Sequence, residues 1–167
     1  ELALWIAVSA DCYCNGKKYI LHCKKQRKID RLSDILNRLG IEFVVRQRPD
    51  TTFDVKFLMP SFITSKIFPM EWIGLATLEQ RKFIIEEMVY WDGNTVPNRA
   101  QYEYSSKEYS NATFMQTIAH TCGYHSSIIR RSNAHGSWYK VSILLKKNHV
   151  SHQKPYNVEK YKGMVYC

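Results

Sequence analysis

Apolar and polar positions along the chain fall into an order that occurs twice. A helix-sized apolar run, Leu2–Ala10, ends at Asp11, and a second, Phe83–Trp91, ends at Asp92-Gly93. After the first, Asn15-Gly16 gives a two-residue hairpin signal before the strand Tyr19–Cys23; after the second, Pro97-Asn98 supplies the turn before the strand Tyr102–Tyr104. Next come two amphipathic helices. Ile29, Leu32, Ile35, Leu36 and Leu39 recur at three- and four-residue spacing and stop at Gly40, as Phe114, Met115, Ile118, Ala119 and Cys122 do before Gly123. Strands are predicted over Ile41–Arg46 and Tyr124–Ile129, with turn signals at Pro49-Asp50 and Asn133–Gly136. Each half closes on an alternating strand, Val55-Lys56-Phe57 and Tyr139-Lys140-Val141.

Matching landmarks stay offset by a little over eighty residues throughout, so the chain reads as an internal repeat. The pattern predicts an α+β fold in which each half runs helix, two strands, helix, two strands, with room for a further helix. The first repeat and its linker occupy residues 1–76, the second 77–147, and 148–167 form a separate tail. Within the linker Pro60–Thr77 stands Phe68-Pro69, and Thr77-Leu-Glu-Gln80 is a capping box for the second apolar helix.

Composition narrows the class. With 45% hydrophobic and 23% charged residues the chain is globular rather than disordered. Its apolar stretches are too short to span a bilayer, and no secretory signal opens it. Glu1 leads straight into an apolar segment, as in a piece of something longer. The five cysteines, Cys12, Cys14, Cys23, Cys122 and Cys167, are odd in number and lack CxxC spacing, which points to a reducing, cytoplasmic setting rather than a disulfide framework or zinc knuckle. His120-Thr-Cys122-Gly-Tyr-His125 falls at a predicted helix end and reads as terminus packing. Lys and Arg total 24 against 15 Asp and Glu, a formal charge of +9, and such a field favours phosphate polyanions.

The repeat adds chemistry. Two similar units tend to pack about a pseudo-two-fold axis, and the two apolar helices are the natural interface. Their packing brings Asp11 and Asp92 together where helix carbonyls already carry partial negative charge. Asp is also a common turn former, so the case for the pair rests on its occurrence at equivalent positions. Two carboxylates there need a counter-ion, and Mg²⁺ suits an oxygen-rich site that could hydrolyse a phosphodiester. Lys56 and Lys140 also match; on alternating strands they face away from the core and could assist at a phosphate, though solvent-facing lysines are common on any sheet. Candidate DNA contacts are Lys17, Lys18, Lys24, Lys25, Arg46, Arg48, Tyr102, Tyr104, Lys107, Arg130, Arg131 and Tyr139. The run Lys24–Lys28 also has the simpler reading of a solvated helix start.

Phe83-Ile-Ile-Glu-Glu-Met-Val-Tyr-Trp-Asp-Gly93, and more weakly Leu2-Ala-Leu-Trp-Ile-Ala-Val-Ser-Ala-Asp-Cys12, resemble the two motifs of single-chain LAGLIDADG homing endonucleases. Cys12 stands where that family has glycine, and Glu87 and Trp91 where it often has small residues. The resemblance covers about residues 1–147. It implies paired αββαββα repeats whose sheets flank two central helices. It also implies Mg²⁺-dependent cleavage of double-stranded DNA at a long site by a monomer, with Asp11 and Asp92 binding metal. The tail Val158-Glu-Lys-Tyr-Lys-Gly-Met-Val-Tyr-Cys167 resembles the opening of an intein's C-terminal splicing segment, and Ile67-Phe-Pro69 resembles the linker of intein-borne nucleases. An intein precursor in a bacterial or phage gene is the implied parent. Two alternatives stay open: a LAGLIDADG-like DNA-binding module without cleavage, and a spacer within a splicing element.

Overall fold

A computed structural model describes residues 1–145 except Pro97 and His135; the expected tail 148–167, including Cys167, lies outside the described residues. The elements follow in the order α1 (Leu2–Asp11), β1 (Cys12–Asn15), β2 (Lys18–Cys23), α2 (Gln26–Arg38), β3 (Phe43–Gln47), β4 (Phe53–Leu58), α3 (Trp72–Leu75), α4 (Leu78–Asp92), β5 (Gly93–Val96), β6 (Gln101–Ser106), α5 (Tyr109–Thr121), β7 (His125–Asn133) and β8 (Gly136–Leu144). The first sheet has the order β1-β2-β4-β3 and the second β5-β6-β8-β7, all pairs antiparallel. One topology therefore occurs twice, as the sequence pattern predicts.

Local rules account for most boundaries. Both amphipathic helices end in a Schellman motif. Gly40 and Gly123 adopt φ of 65° and 78°, where a Cβ would be strained. The amide after each glycine reaches back into the last turn, Ile41 to the Leu36 carbonyl and Tyr124 to that of Ala119, both at 3.0 Å. That bond occupies the Ile41 amide, so β3 begins at Phe43 rather than at the expected Ile41. The Thr77 hydroxyl and the Gln80 side chain cap the start of α4 reciprocally, at 3.2 and 2.8 Å.

α1 and α4 lie side by side at the centre, with Leu4, Ile6, Ala7 and Val8 of one and Ile84, Ile85 and Met88 of the other buried. Each sheet turns one face to the helices. In the first that face carries Tyr19, Leu21, Val55 and Phe57; in the second, Tyr104, Val141 and Ile143. Alternate residues form the opposite, open face.

Glu87 and Trp91 are accommodated by turning toward α2. Arg31 donates to both Glu87 carboxylate oxygens at 3.1 and 2.6 Å, and the Trp91 indole donates to Glu87 at 3.1 Å. A buried carboxylate with three donated bonds is satisfied, so α1 and α4 can still pack. Only the second repeat needs glycine after its aspartate. A Cβ at Gly93 would run into the Glu103 carbonyl and come within 2.9 Å of the Val89 Cα, whereas Cys12 is buried at the equivalent position of the first repeat.

The linker is more than a connection. Ile63, Phe68 and Ile73 are buried, and Phe68 stacks on Phe114 with ring centres 5.2 Å apart. Trp72 meets Trp5 edge-on at 4.7 Å. Such aromatic contacts add to the area they bury.

Candidate functional site

Asp11 and Asp92 are the last residues of α1 and α4, so each carboxylate adds to the negative end of its own helix. Burial pushes the Asp92 carboxyl up to about 6, and the nearby Asp11 charge pushes it the same way, against the opposing pull of Lys28, Lys66 and Lys25. The two acids therefore share one electrostatic environment. Lys28, buried on α2, donates to the Asp11 carboxylate and to the Trp91 carbonyl, the latter at 2.7 Å. Its ammonium also lies 5.6 Å from the centre of the Trp91 ring, a favourable cation–π distance.

Lys66, from the linker, donates to the Cys12 carbonyl at 2.7 Å. Asn111 of α5 fixes that stretch: its amide nitrogen donates to the Lys66 carbonyl at 3.1 Å, and its oxygen accepts from the Phe68 amide at 3.0 Å. A cavity of about 470 Å³ opens at this end of the helix pair, lined by Ser9, Lys66, Asp92, Lys107, Asn111 and Trp138 among others. The Ser9 hydroxyl is buried and has no protein partner.

This donor set suits a hard divalent ion. It offers two carboxylates whose mutual repulsion a cation relieves, with an orphaned hydroxyl nearby. Among the described residues no cluster of three His, Cys, Asp or Glu side chains could hold a metal. An ion here would keep water or phosphate oxygens for its remaining positions, which is the habit of Mg²⁺.

The matched lysines go elsewhere. Lys56 pairs with Asp54 at 3.5 Å and Lys140 with Glu103 at 2.7 Å, both on the open sheet faces. Neither is among the lysines whose charge bears on Asp92. Lys56 and Lys140 thus lie on the faces turned away from the helices, and the lysine charges that bear on Asp92 are those of Lys28, Lys66 and Lys25. Lys28 stands four residues before Leu32 and seven before Ile35, on the apolar stripe of α2. A solvated helix start is thus the wrong reading for Lys28, and its register was the available signal. Lys66 carries no comparable signal.

Of the expected DNA contacts, Lys17, Lys18, Lys24, Lys25, Arg46, Arg48, Lys107, Arg130 and Arg131 are exposed. Lys18, Arg46 and Arg48 lie on the open face of the first sheet and Arg131 on that of the second, whereas Arg130 shares the face of Tyr139 and donates to the Ser137 hydroxyl at 3.3 Å. The tyrosines do not point as expected. Tyr102 pairs with Ile143 and Tyr104 with Val141, so all four face the helices. Tyr104 is buried, and burial followed by the Asp92 charge pushes its phenol up. Tyr139 packs on Tyr109 with ring centres 4.9 Å apart.

The open face of the first sheet also holds a cluster the sequence reading missed. Asp54, 1% exposed, accepts from Arg48 at 3.0 and 2.9 Å and pairs with His22 at 2.8 Å. Burial raises its carboxyl, yet the bonds from Arg48 and His22 outweigh that and hold it at about 2.

No protein-family model matches the chain. It is 32% identical over 155 residues to the ribonucleoside-diphosphate reductase subunit beta of Aquifex aeolicus (strain VF5), a match covering 86% of this chain but 22% of that protein. The chain thus spans about a fifth of the length of this curated relative. Among solved structures, I-DmoI in complex with DNA and Mn superposes with a TM-score of 0.60 at 13% identity, over 86% of this chain and 89% of that one. Full-length WhiA from Thermatoga maritima gives 0.61 at 11% identity, over 86% and 51%. The N-terminal LAGLIDADG domain of WhiA gives 0.59 at 11%, over 86% and 76%. The chain has the LAGLIDADG fold.

Proposed function

We propose that this chain is a sequence-specific, Mg²⁺-dependent DNA endonuclease of the homing type, carried as the nuclease unit of an intein. The observation that carries the reading is the meeting of Asp11 and Asp92 at the ends of the paired helices, with Asp92 held up by burial and by its partner's charge. Fold alone does not imply activity, so the site must argue for it. Homing endonuclease I-DmoI shares the fold and has been seen with DNA and with Mn, Mg or Ca, which supports DNA as the ligand and a divalent ion as the cofactor.

In this reading Asp11 and Asp92 hold the ion, which when bound supplies an activated water and stabilises the leaving oxygen. The chain's own groups do the positioning. Lys66 and Lys107 line the Asp92 cavity, where cations would offset charge on a phosphate. Asn111 fixes the Lys66 backbone, so that charge is set in place before DNA arrives. The open sheet faces bring Lys18, Arg46, Arg48 and Arg131 to the duplex. Because one chain contains both repeats, a monomer supplies both carboxylates.

The intein assignment draws support from two sources. A protein named as a reductase subunit is similar to this chain over only about a fifth of its length, as insertion of such a unit into a host protein would produce. The tail 158–167 carries the intein resemblance independently. A second reading, a LAGLIDADG-like module that binds DNA without cutting it, is favoured by Lys28, whose ammonium already neutralises Asp11.

The test is to incubate the protein with a large randomised DNA pool in Mg²⁺ and in EDTA, then sequence both the broken ends and the retained DNA. Mg²⁺-dependent breaks at one long motif are expected. Retention of one motif without breaks would select the non-cutting module, and neither breaks nor retention would overturn both readings.

A further inference from the structure

The basic face of the first sheet holds a buried acid, Asp54, and that acid is the least exposed charged residue on the face. Asp54 is the second residue of β4, an inner strand between β2 and β3, and lies beside the β3–β4 turn. Its cross-strand neighbours are His22 and Arg46. Arg48 reaches it from the β3–β4 turn, and Lys56 from two residues along the same strand. A surface built only to hold phosphate would not neutralise its own cations this way, because phosphate affinity scales with net positive charge. Base edges, unlike phosphates, are read by donors held in a fixed array.

The geometry of Arg48 sharpens the point. Its Nε and Nη2 both donate to Asp54 Oδ2, at 3.0 and 2.9 Å. The side edge of the guanidinium is thereby fixed, in a position anchored by the turn: the Arg48 amide donates to the Thr52 carbonyl at 2.8 Å, and Asp50 accepts from the Thr52 amide at 3.1 Å. Guanidinium has five N–H donors in a rigid fork, so the end edge, formed by Nη1 and the second Nη2 hydrogen, stays available. That edge matches the paired O6 and N7 acceptors of guanine in the major groove. Adenine offers a donor at the equivalent position and would be rejected.

We propose that Asp54 is a positioning residue that holds Arg48 to read a guanine in the half-site bound by the first sheet. The proposal rests on DNA binding by the open faces and adds the residue pair and the base. Asp54 acts through Arg48: it removes rotamer freedom beforehand and forbids the alternative of a swinging phosphate contact. The second sheet has no equivalent, since its matched lysine pairs with Glu103 and no arginine shares that acid among the described residues. Recognition is therefore asymmetric between the halves.

The experiment is selection from a randomised DNA pool in EDTA, where no cleavage occurs, followed by sequencing of the retained DNA. Wild type, Arg48→Lys, Asp54→Asn and the surface control Arg38→Ala, exposed on α2, are compared, with each melting curve recorded. Wild type is expected to retain DNA with guanine at one defined position of one half-site. Arg48→Lys, which keeps charge and exposure, should lower that preference about tenfold and leave other positions unchanged. Asp54→Asn should relax the same position, and Arg38→Ala should relax none. An unchanged guanine preference in Arg48→Lys would overturn the proposal even if Asp54→Asn failed to fold. So would a loss of affinity spread evenly over all sequences. No motif retained by wild type would instead overturn DNA recognition itself, a distinguishable failure.

Discussion

Lys28 ties the C-terminal ends of the two central helices together: its ammonium binds the Asp11 carboxylate at the end of α1 and lies 2.7 Å from the Trp91 carbonyl at the end of α4. Two helix termini and two acids converge there, and without metal this buried cation is the direct counter-charge to Asp11. Lys28→Met should therefore destabilise the metal-free protein by about 2–3 kcal/mol, less than breaking a fully buried pair costs because Asp11 is partly exposed. The melting temperature in EDTA should drop by roughly 4–10 °C and recover in part with Mg²⁺. An equal drop with and without Mg²⁺ would show that Lys28 matters only through packing.

Asp92→Asn separates binding from chemistry. Cleavage of the selected site should fall at least about a hundredfold, while affinity for that DNA in EDTA stays within a few-fold of wild type. Full cutting by this variant would remove Asp92 from the site.

The same residue sets a pH dependence. Asp92 sits at about 6 in the fold against an ordinary 3.8. Between about pH 4 and 6 the folded state therefore holds more protons than the unfolded one, and stability must fall as pH rises through that window. The loss is on the order of 2–3 kcal/mol. Asp54 acts in the opposite sense, but only below about pH 4, since its carboxyl is held at about 2. Denaturant titrations of the metal-free protein at pH 4.5 and 7 should show the fall, and Asp92→Asn should abolish it. A flat wild-type profile would contradict the burial of Asp92.

Gly93→Ala tests the close approach of α4 to β6. Its Cβ would meet backbone rather than a movable side chain, so a cost on the order of 2–4 kcal/mol is expected. Cys12→Gly, at the matching position, should cost less. Comparable thermal shifts for the two variants would mean that the repeats are equally tight there.

Affinity for the selected DNA should fall steeply with salt. Each phosphate neutralised contributes nearly one unit to the slope of log K against log salt. A slope near zero would exclude the lysines and arginines of the open faces as the DNA surface.

Much of the fold was legible because its rules are local. The Asn15-Gly16 turn, the Thr77–Gln80 cap and the glycines that end α2 and α5 each act within a few residues, so the repeat could be traced from them. The tyrosines were misread for want of strand register: Tyr102 and Tyr104 face the helices because they pair with Ile143 and Val141, far along the chain. Lys66 and Asn111 were not legible at all, since their meeting depends on how the linker folds back against α5.

Sequence alone determined the twofold order of elements and the equivalence of Asp11 and Asp92, because hydrophobic period and capping chemistry are written in consecutive residues. Tertiary structure decided which cations serve which acids. Lys28 reaches Asp11 from another helix, while Lys56 and Lys140, matched in sequence, are drawn to Asp54 and Glu103 on the open faces. Pairing of charges depends on distance and burial in space, and neither is a property of position along the chain.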